Sequence, residues 1–480
     1  MSKKQLSKIP TYKKVLEKIR KSRVKWIRLQ FCNPFGLLHQ LSIPSEEITK
    51  DSFVKGFPLD GSSILGCTPI NKSDMLLIPD PDTFAILPDY FDTYHDNENA
   101  KNQYTSKAAR MLVDIQVGFS GKRFSRDSRL VAQKAEKFLQ KNGFSTSRWS
   151  AEIEFFIFDK LTSDGNSKSS KKNNILSSIE SREAPWGTQN LENTIPLKRG
   201  YYIGSPSDTL TDFRDEVSDT LKEFGINVIA HHHEVATAGQ SEIVLSNVGL
   251  LQTADNVVTV MKTIKEVAAR RGRIASFNPK PIPNDNGSAL HINQSLWKSK
   301  NNKKINAFYD PNEKYAELSQ TAFYYIGGLL EHAKALCVIT NPTLNSYRRL
   351  VPGYEAPTNV AWGKMNRSVC ARVPAHHKKT PSTKRIEYRP PDPTSNIYLD
   401  ETAILLAGLD GIRKKIQPPD PVDVDTYKLS EKEKRKYGIK SLPTSLKSAL
   451  NAFKSDNEFL KPVFDNDFLD MYYETLKKQL

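Results

Sequence analysis

His231-His232-His233-Glu234-Val235-Ala236-Thr237-Ala238-Gly239-Gln240-Ser241-Glu242 holds three imidazoles and two carboxylates within twelve residues. On one straight strand Glu234 and Glu242 would stand roughly 26 Å apart, too far to share a cation. Glycine tolerates backbone angles that other residues avoid, so a bend near Ala238-Gly239 would bring both carboxylates to one site. Taken alone, such a pair is more often a polar surface turn. The surrounding chain shifts the balance toward a site.

Ala151-Glu152-Ile153-Glu154-Phe155-Phe156-Ile157-Phe158 alternates as a strand, which sets Glu152 and Glu154 on one face. Like charges there are costly unless a cation lies between them or both face water. The next residues on that face are Phe156 and Phe158, so the strand runs into a core and a metal site is the better reading. Downstream, a turn at Asn286-Gly287 leads into a strand on which His291 and Asn293 share a face. A lone His is more often structural, but here it can add a nitrogen donor to a carboxylate set. Arg348, Arg349, Arg367, Arg372 and Arg385 follow, and Arg385-Ile386-Glu387-Tyr388-Arg389 places Glu387 and Arg389 on one face. Each arginine by itself reads as solvated surface charge. Together they suit bidentate capture of phosphate and carboxylate, and with the acidic set they suit metal-assisted phosphoryl transfer. Ser120-Gly121-Lys122-Arg123 lacks the first glycine and the Ser/Thr of a Walker A loop, and no G-x-G-x-x-G occurs. Any nucleotide is therefore bound by another fold.

The leading residues to Lys21 read as a helix with Val15, Leu16 and Ile19 on one face, and Val24–Phe31 as a strand. Asn33-Pro34-Phe35-Gly36 reads as a turn, Pro58–Ile64 as a polar turn carrying Asp60, and Ala109–Ile115 as another strand. These make a small α+β domain ending near Gly121. Helices are expected over 125–142, 213–225, 256–270, 314–336 and 464–480, a flexible loop over 160–183 and a charged, turn-like segment over 428–440. The net charge of +16, from 70 Lys+Arg against 54 Asp+Glu, is spread along the chain with no aromatic-interleaved basic motif, which disfavours a nucleic-acid partner. Cys32, Cys67, Cys337 and Cys370 form no C-x-x-C pair, which suits a reducing cytoplasm. The N-terminus has no apolar core for a signal peptide. The apolar stretch Phe323–Thr340 is broken by Glu331, His332 and Lys334, so it reads as a buried helix and not a membrane span.

Six motifs stand in order: Asp60-Gly61-Ser62-Ser63, Glu152-Ile153-Glu154-Phe155-Phe156, the His231–Gln240 run, Asn286-Gly287-Ser288 followed by His291, Asn366-Arg367-Ser368, and Arg385–Arg389. Through them the chain resembles, from about Val24 to Leu446, the long prokaryotic class of the glutamine synthetase family. The resemblance implies an α+β fold: a small N-terminal β-grasp-like domain over 1–121 and a large catalytic domain over 122–480, with a curved antiparallel sheet backed by helices. It implies ATP-dependent ligation of ammonia to glutamate through a γ-glutamyl phosphate, with a ligase for a larger amine as the alternative and a non-catalytic relative, disfavoured by the intact ligand set, as a further one. By the same matching, Glu154, Glu234 and Glu242 hold one Mg2+ or Mn2+, and Glu152, His291 and Glu387 another. Gly287, Arg349, Glu355 and Arg389 hold glutamate. Arg367, Arg372 and Arg385 attend the transferred phosphate, Asn293 and Ser295 the nucleotide, and Asp60 the ammonium ion, with Asp60, Glu355 and Arg367 acting in catalysis. The implied partners are glutamate, ammonium, ATP and further copies of the chain, as a cytoplasmic dodecamer of two hexameric rings with no nucleic acid and no membrane. The chain departs from the pattern at Ile229 (usually Glu), Asn247 (often aromatic), Ala289 (often Gly), Asn293 (usually His) and Ser382 (often Lys). These departures concern the nucleotide pocket and leave every implied metal ligand intact. Lys428 beside Tyr427 argues against regulation by adenylylation there.

Overall fold

The computed structural model describes residues 9–92, 106–162, 178–186 and 193–480. Helix α1 (Ile9–Lys21) and strands β1 (Trp26–Cys32), β2 (Leu38–Pro44), β3 (Phe57–Asp60), β4 (Asp74–Pro79), β5 (Ala85–Ile86) and β6 (Ala108–Val117) build the first domain. The strand order is β2-β1-β6-β4-β3, with β5 also on β6. Strands β1 and β6 are parallel at the centre. The period-two face of β1 (Ile27, Leu29, Phe31) meets the helical stripe Val15 and Ile19 of α1, and Leu77, Met111 and Val113 complete that core. Residues 1–8, the leading part of the first expected helix, lie outside the described residues.

The second, larger domain follows with α2 (Ser128–Lys141), β7 (Thr146–Phe158), β8 (Lys160–Thr162), β9 (Ser178–Glu180), α3 (Thr211–Glu223), β10 (Val228–His233) and β11 (Gln240–Leu245). Next come α4 (Leu250–Arg270), β12 (Ile274–Ser276), β13 (Leu290–Lys300), β14 (Lys303–Asn306), α5 (Gln320–Glu331) and α6 (Ala333–Thr340). The last elements are β15 (Asn359–Lys364), β16 (Val369–Val373), β17 (Ile386–Tyr388), α7 (Ile397–Lys414), β18 (Lys440–Ser441), α8 (Leu446–Ser455) and α9 (Asn466–Lys477). Ten strands form one curved sheet in the order β10-β11-β7-β13-β17-β16-β15-β18, with β12 on β7 and β14 on β13. Every pairing is antiparallel except β15 with β16. Trp149, Ala151, Ile153 and Phe155 of β7 face the helices in one large core that includes Val257 and Val260 of α4 and Leu399 and Ala403 of α7. The alternate residues of β7, Glu152 and Glu154, therefore face away from that core. Further along the same face Phe156 and Phe158 enter a separate small core with Ala184, Ala236, Ala238 and Ile282.

A buried arginine joins the domains. Arg129 on α2 donates to Asp80 and Asp114 of the first domain at 2.9 Å each, and to Asp255 of α4 at 2.9 Å. The N-cap of α2 does the same on a smaller scale, since Asp127 accepts from Arg129 N and from Ile115 N of β6.

Several segments differ from the sequence expectation. The helix expected over 256–270 begins six residues earlier, at Leu250. The ends of the expected 160–183 loop pair as β8 and β9, while 163–177 lie outside the described residues. A capping box from Ser430 and Glu433 starts a short helix, Glu431–Lys436, inside the segment expected to be turn-like. The single helix expected over 314–336 is two, α5 and α6, parted at His332. That imidazole is buried and bridges two carboxylates, Asp410 at 3.0 Å and Asp456 at 2.9 Å, while Phe459 stacks on its face.

Burial opposes the imidazolium form of His332, but Asp410 and Asp456 outweigh it and raise the pKa above the usual 6.5. The bridge therefore adds stability in full below about pH 6.5 and loses it as pH rises through the higher folded value. Replacing His332 with Leu should cost about 2 kcal/mol at pH 6, less than for a fully buried pair because Asp410 keeps Arg413 and Lys414. Thermal melts of both proteins from pH 5 to 9 check this, and the gap between them should narrow with rising pH.

Candidate active site

Between β10 and β11 the chain turns through Ala238 (φ 60°) and Gly239 (φ 82°). A Cβ on Gly239 would sit 2.5 Å from the Ile157 carbonyl oxygen, so glycine is required there on contact as well as on angle. Glu234 N donates to Gln240 O at 2.9 Å, Ala236 N to the Gln240 side chain at 2.7 Å, and Thr237 N to Asp285 at 2.7 Å. The bend read from the sequence thus exists. It places donor atoms of His232, Glu234 and Glu242 within 4.8 Å of one another.

Register supplies the rest. Glu242 lies opposite His232 on one side and Glu154 on the other, and Glu152 lies opposite His291. Asn293 lies opposite Glu387, which lies opposite Arg372. One sheet face therefore carries a row of acidic and imidazole groups. Donor atoms of Glu152, Glu242 and His291 form a second group within 4.8 Å, so Glu242 belongs to both.

Only one of the three consecutive histidines faces this row. His231 pairs with Asp215, and His233 is buried against Glu183 at 3.1 Å. His232 meets Glu242 at 3.2 Å. Sequence reasoning assigned it no role, although its alternation with His231 and His233 could have singled it out.

The electrostatics are those of crowded anions. Burial, then Glu154 and Glu242, push the Glu234 carboxyl well above its usual range. Burial, then Glu152 and Glu154, do the same to Glu242. Burial also raises Glu154, although Arg349 and the Ala289 N–H oppose the rise. Burial and the nearby Arg389 hold His291 neutral, and neither of its buried ring nitrogens has a hydrogen-bond partner. Buried carboxylates crowded against one another, with a neutral imidazole whose ring nitrogens make no hydrogen bond, are the donor set a divalent cation requires. Glu387 differs: Arg389 and Arg372 outweigh its burial and hold its pKa down, with Arg372 at 2.6 Å. The implied ligand set is thus brought to one face, with Glu387 already engaged by two guanidinium groups.

Beside this row a cleft is lined by Glu154, Glu234, Gly287, Arg349, Glu355, Arg367 and Arg389. Arg349 is buried and donates to the Pro390 and Pro391 carbonyls at 2.7 and 3.2 Å. Gly287 packs so closely that a Cβ would meet the Pro279 oxygen at 2.1 Å. A second cleft of about 270 Å³ opens on the other side of Glu152 and contains Asn293, Ser295 and Arg385. Ile229, Asn247 and Ser382 line it too, together with Arg148 and Lys384, which the sequence reading did not single out. Asn293 links the two regions, donating to Glu152 at 2.8 Å and accepting from Arg385 at 2.9 Å. Asp60 is not brought to either cleft by its own chain. It is exposed, and hydrogen bonds from Ser62 and Ser63 at 2.6 and 2.7 Å hold its pKa down.

The family model described as the glutamine synthetase catalytic domain matches residues 125–480. The chain belongs to the glutamine synthetase family. The glutamine synthetase β-grasp domain matches residues 23–101. Similar curated proteins include the glutamine synthetase of Sulfolobus acidocaldarius, 47% identical over 97% of this chain and 94% of that one. The glutamine synthetase of Frankia alni is 42% identical over 96% and 93%, and that of Aquifex aeolicus 40% over 98% and 95%. Among solved structures, a Plasmodium falciparum glutamine synthetase covers 97% of this chain and 95% of its own with a TM-score of 0.82 at 27% identity. Glutamine synthetase relatives thus match both domains.

Proposed function

We infer that the protein is a glutamate–ammonia ligase, forming glutamine, ADP and phosphate from glutamate, ammonia and ATP. The observation that carries this is the convergence of Glu152, Glu154, Glu234, Glu242 and His291 on one sheet face beside an arginine-lined cleft, in a chain of this family. A carboxylate is a poor acyl donor because its leaving group would be oxide. The γ-carboxylate oxygen therefore attacks the γ-phosphorus of ATP and ADP departs. Ammonia then attacks the acyl carbon of γ-glutamyl phosphate, and phosphate leaves.

The residues divide this work. Gly287, Arg349, Glu355 and Arg389 hold glutamate, with the guanidinium charges facing its carboxylates. Arg367, Arg372 and Arg385 attend the transferred phosphate, and Asn293 and Ser295 the nucleotide in the neighbouring cleft. Glu154, Glu234 and Glu242 would hold one divalent cation, with His232 adjoining, and Glu152, His291 and Glu387 another, with Glu242 in reach of both positions. Bound there, such ions would withdraw charge from the phosphoryl oxygens. Asp60, completing a neighbouring subunit's site in a ring of six, binds ammonium and accepts the proton released as it becomes the attacking amine. Two rings make the assembly a dodecamer, and the site of action is the cytoplasm. Among the described residues no helix is long and apolar enough to cross a membrane.

Phosphate release from ATP and glutamate with a panel of amines tests the reading. Ammonium should exceed methylamine and polyamines by about tenfold or more in kcat/KM. A polyamine outperforming ammonium would make the protein a ligase for larger amines.

A further inference from the structure

Glu355 lies on the loop Val351–Thr358, between the helical turn Ser346–Arg349 and β15, and has a left-handed backbone at φ 57°. That conformation is unfavourable for a residue with a side chain and persists only where the surroundings impose it. Its neighbour Tyr354 lines the same cleft as Glu154 and Arg349. Two ammonium groups lie over the Tyr354 ring, Lys280 Nζ at 3.5 Å and Lys198 Nζ at 4.0 Å from the centroid. Lys198 Nζ also donates to the Gly353 carbonyl at 3.1 Å, and Lys280 Nζ donates to the Asp285 carbonyl.

Both lysines are held by one anchor. Asp285 is fully buried, and its carboxylate accepts from the backbone N–H of Lys198 at 3.0 Å, Thr237 at 2.7 Å and Asn286 at 2.9 Å. The carboxylate therefore fixes the Lys198 segment and the turn that follows Glu234, while the main-chain carbonyl of the same residue holds the Lys280 ammonium. At the other end of the loop, Tyr427 donates its hydroxyl to the Ala356 carbonyl at 2.9 Å. Burial, with Lys198 and Arg349 adding repulsion that Asp285 offsets in part, brings the Lys280 ammonium down to about 8. Two cations gathered at one ring, one of them buried, is an arrangement that solvation alone would not select; the negative face of the ring supplies the attraction.

We propose that Lys198 and Lys280 clamp the Glu355 loop over the substrate cleft through the face of Tyr354, making Tyr354 a positioning residue for the ligation. The proposal rests on the reading above, because the acyl phosphate must be kept from water until ammonia arrives. With the clamp broken, water enters and phosphate is released without glutamine.

The test compares Tyr354→Leu, which removes the ring face, with Tyr354→Phe, which keeps it. Lys198→Met and Lys280→Met each remove one cation. Tyr354→Leu should lower kcat for glutamine about tenfold, raise phosphate released per glutamine formed, and leave the KM for ATP within about twofold. Tyr354→Phe should match wild type in all three, and the lysine variants should fall between. Hydrogen exchange of the 351–357 segment should quicken in Tyr354→Leu and not in Tyr354→Phe. Unchanged coupling and exchange in Tyr354→Leu, or equal damage in Tyr354→Phe, would overturn the clamp. Failure of wild-type protein to make glutamine from ATP, glutamate and ammonium would instead overturn the functional reading, and the exchange comparison would still decide the clamp.

Discussion

Glu242→Gln should all but abolish glutamine formation while stabilising the metal-free protein. Glu242 is the residue shared by both donor groups, with Glu234 and His232 on one side and Glu152 and His291 on the other. Its loss should therefore disturb two cation positions at once, whereas Glu154→Ala disturbs one. A fall in kcat/KM of about 10³-fold is expected, the scale of losing a principal stabiliser of developing charge. Raising Mg2+ or Mn2+ should not restore it. In the absence of metal the same carboxylate is buried among Glu152, Glu154 and Glu387, and glutamine keeps its shape and its contact with His232 without the charge. The metal-free variant should be more stable by about 1 kcal/mol or more. Metal should raise the wild-type melting temperature and raise that of the variant much less. Activity assays across a metal titration, with melting curves on the same samples, check both halves. Normal turnover in Glu242→Gln would remove the cation assignment.

Asp60→Ala should lower ammonia-dependent turnover by about 10²-fold or more, the usual scale for a lost proton acceptor, with ATP affinity near normal. The side chain is exposed in the first domain and, among the described residues, hydrogen-bonds within its own turn, so it acts on this chemistry if another subunit's cleft is brought to it. Mixing Asp60→Ala with Glu242→Gln subunits, after dissociation and reassembly, should then restore activity. In a closed ring where each site draws Asp60 from one subunit and Glu242 from the next, random mixing makes about a quarter of the sites intact. Neither variant alone should regain any. Absence of recovery in mixed rings, or full activity in a monomer, would place the whole site within one chain.

Some of this was legible from the residues in order. Strand alternation by itself put Glu152 and Glu154 on one face and the aromatic end of that strand in a core. The small residues at Ala238-Gly239 located the turn that returns Glu242 toward Glu234. These are local properties, set by a two-residue period and by which side chains permit a positive φ. They hold wherever the segment sits in the fold, so the sequence determines them.

What the tertiary structure decided is which groups meet. Cross-strand register made Glu242 common to two donor groups and set His232, alone among three adjacent histidines, against it. Packing of distant helices broke the apolar 314–336 stretch at His332, whose carboxylate partners lie 78 and 124 residues away. The pairing of Glu387 with Arg372, and the gathering of Lys198 and Lys280 on Tyr354, likewise join segments whose spacing along the chain carries no signal. Local periodicity fixes the direction in which a side chain points. Its partner is fixed only when strand register and helix packing have closed the intervening chain, and the energies of buried charge follow from that closure.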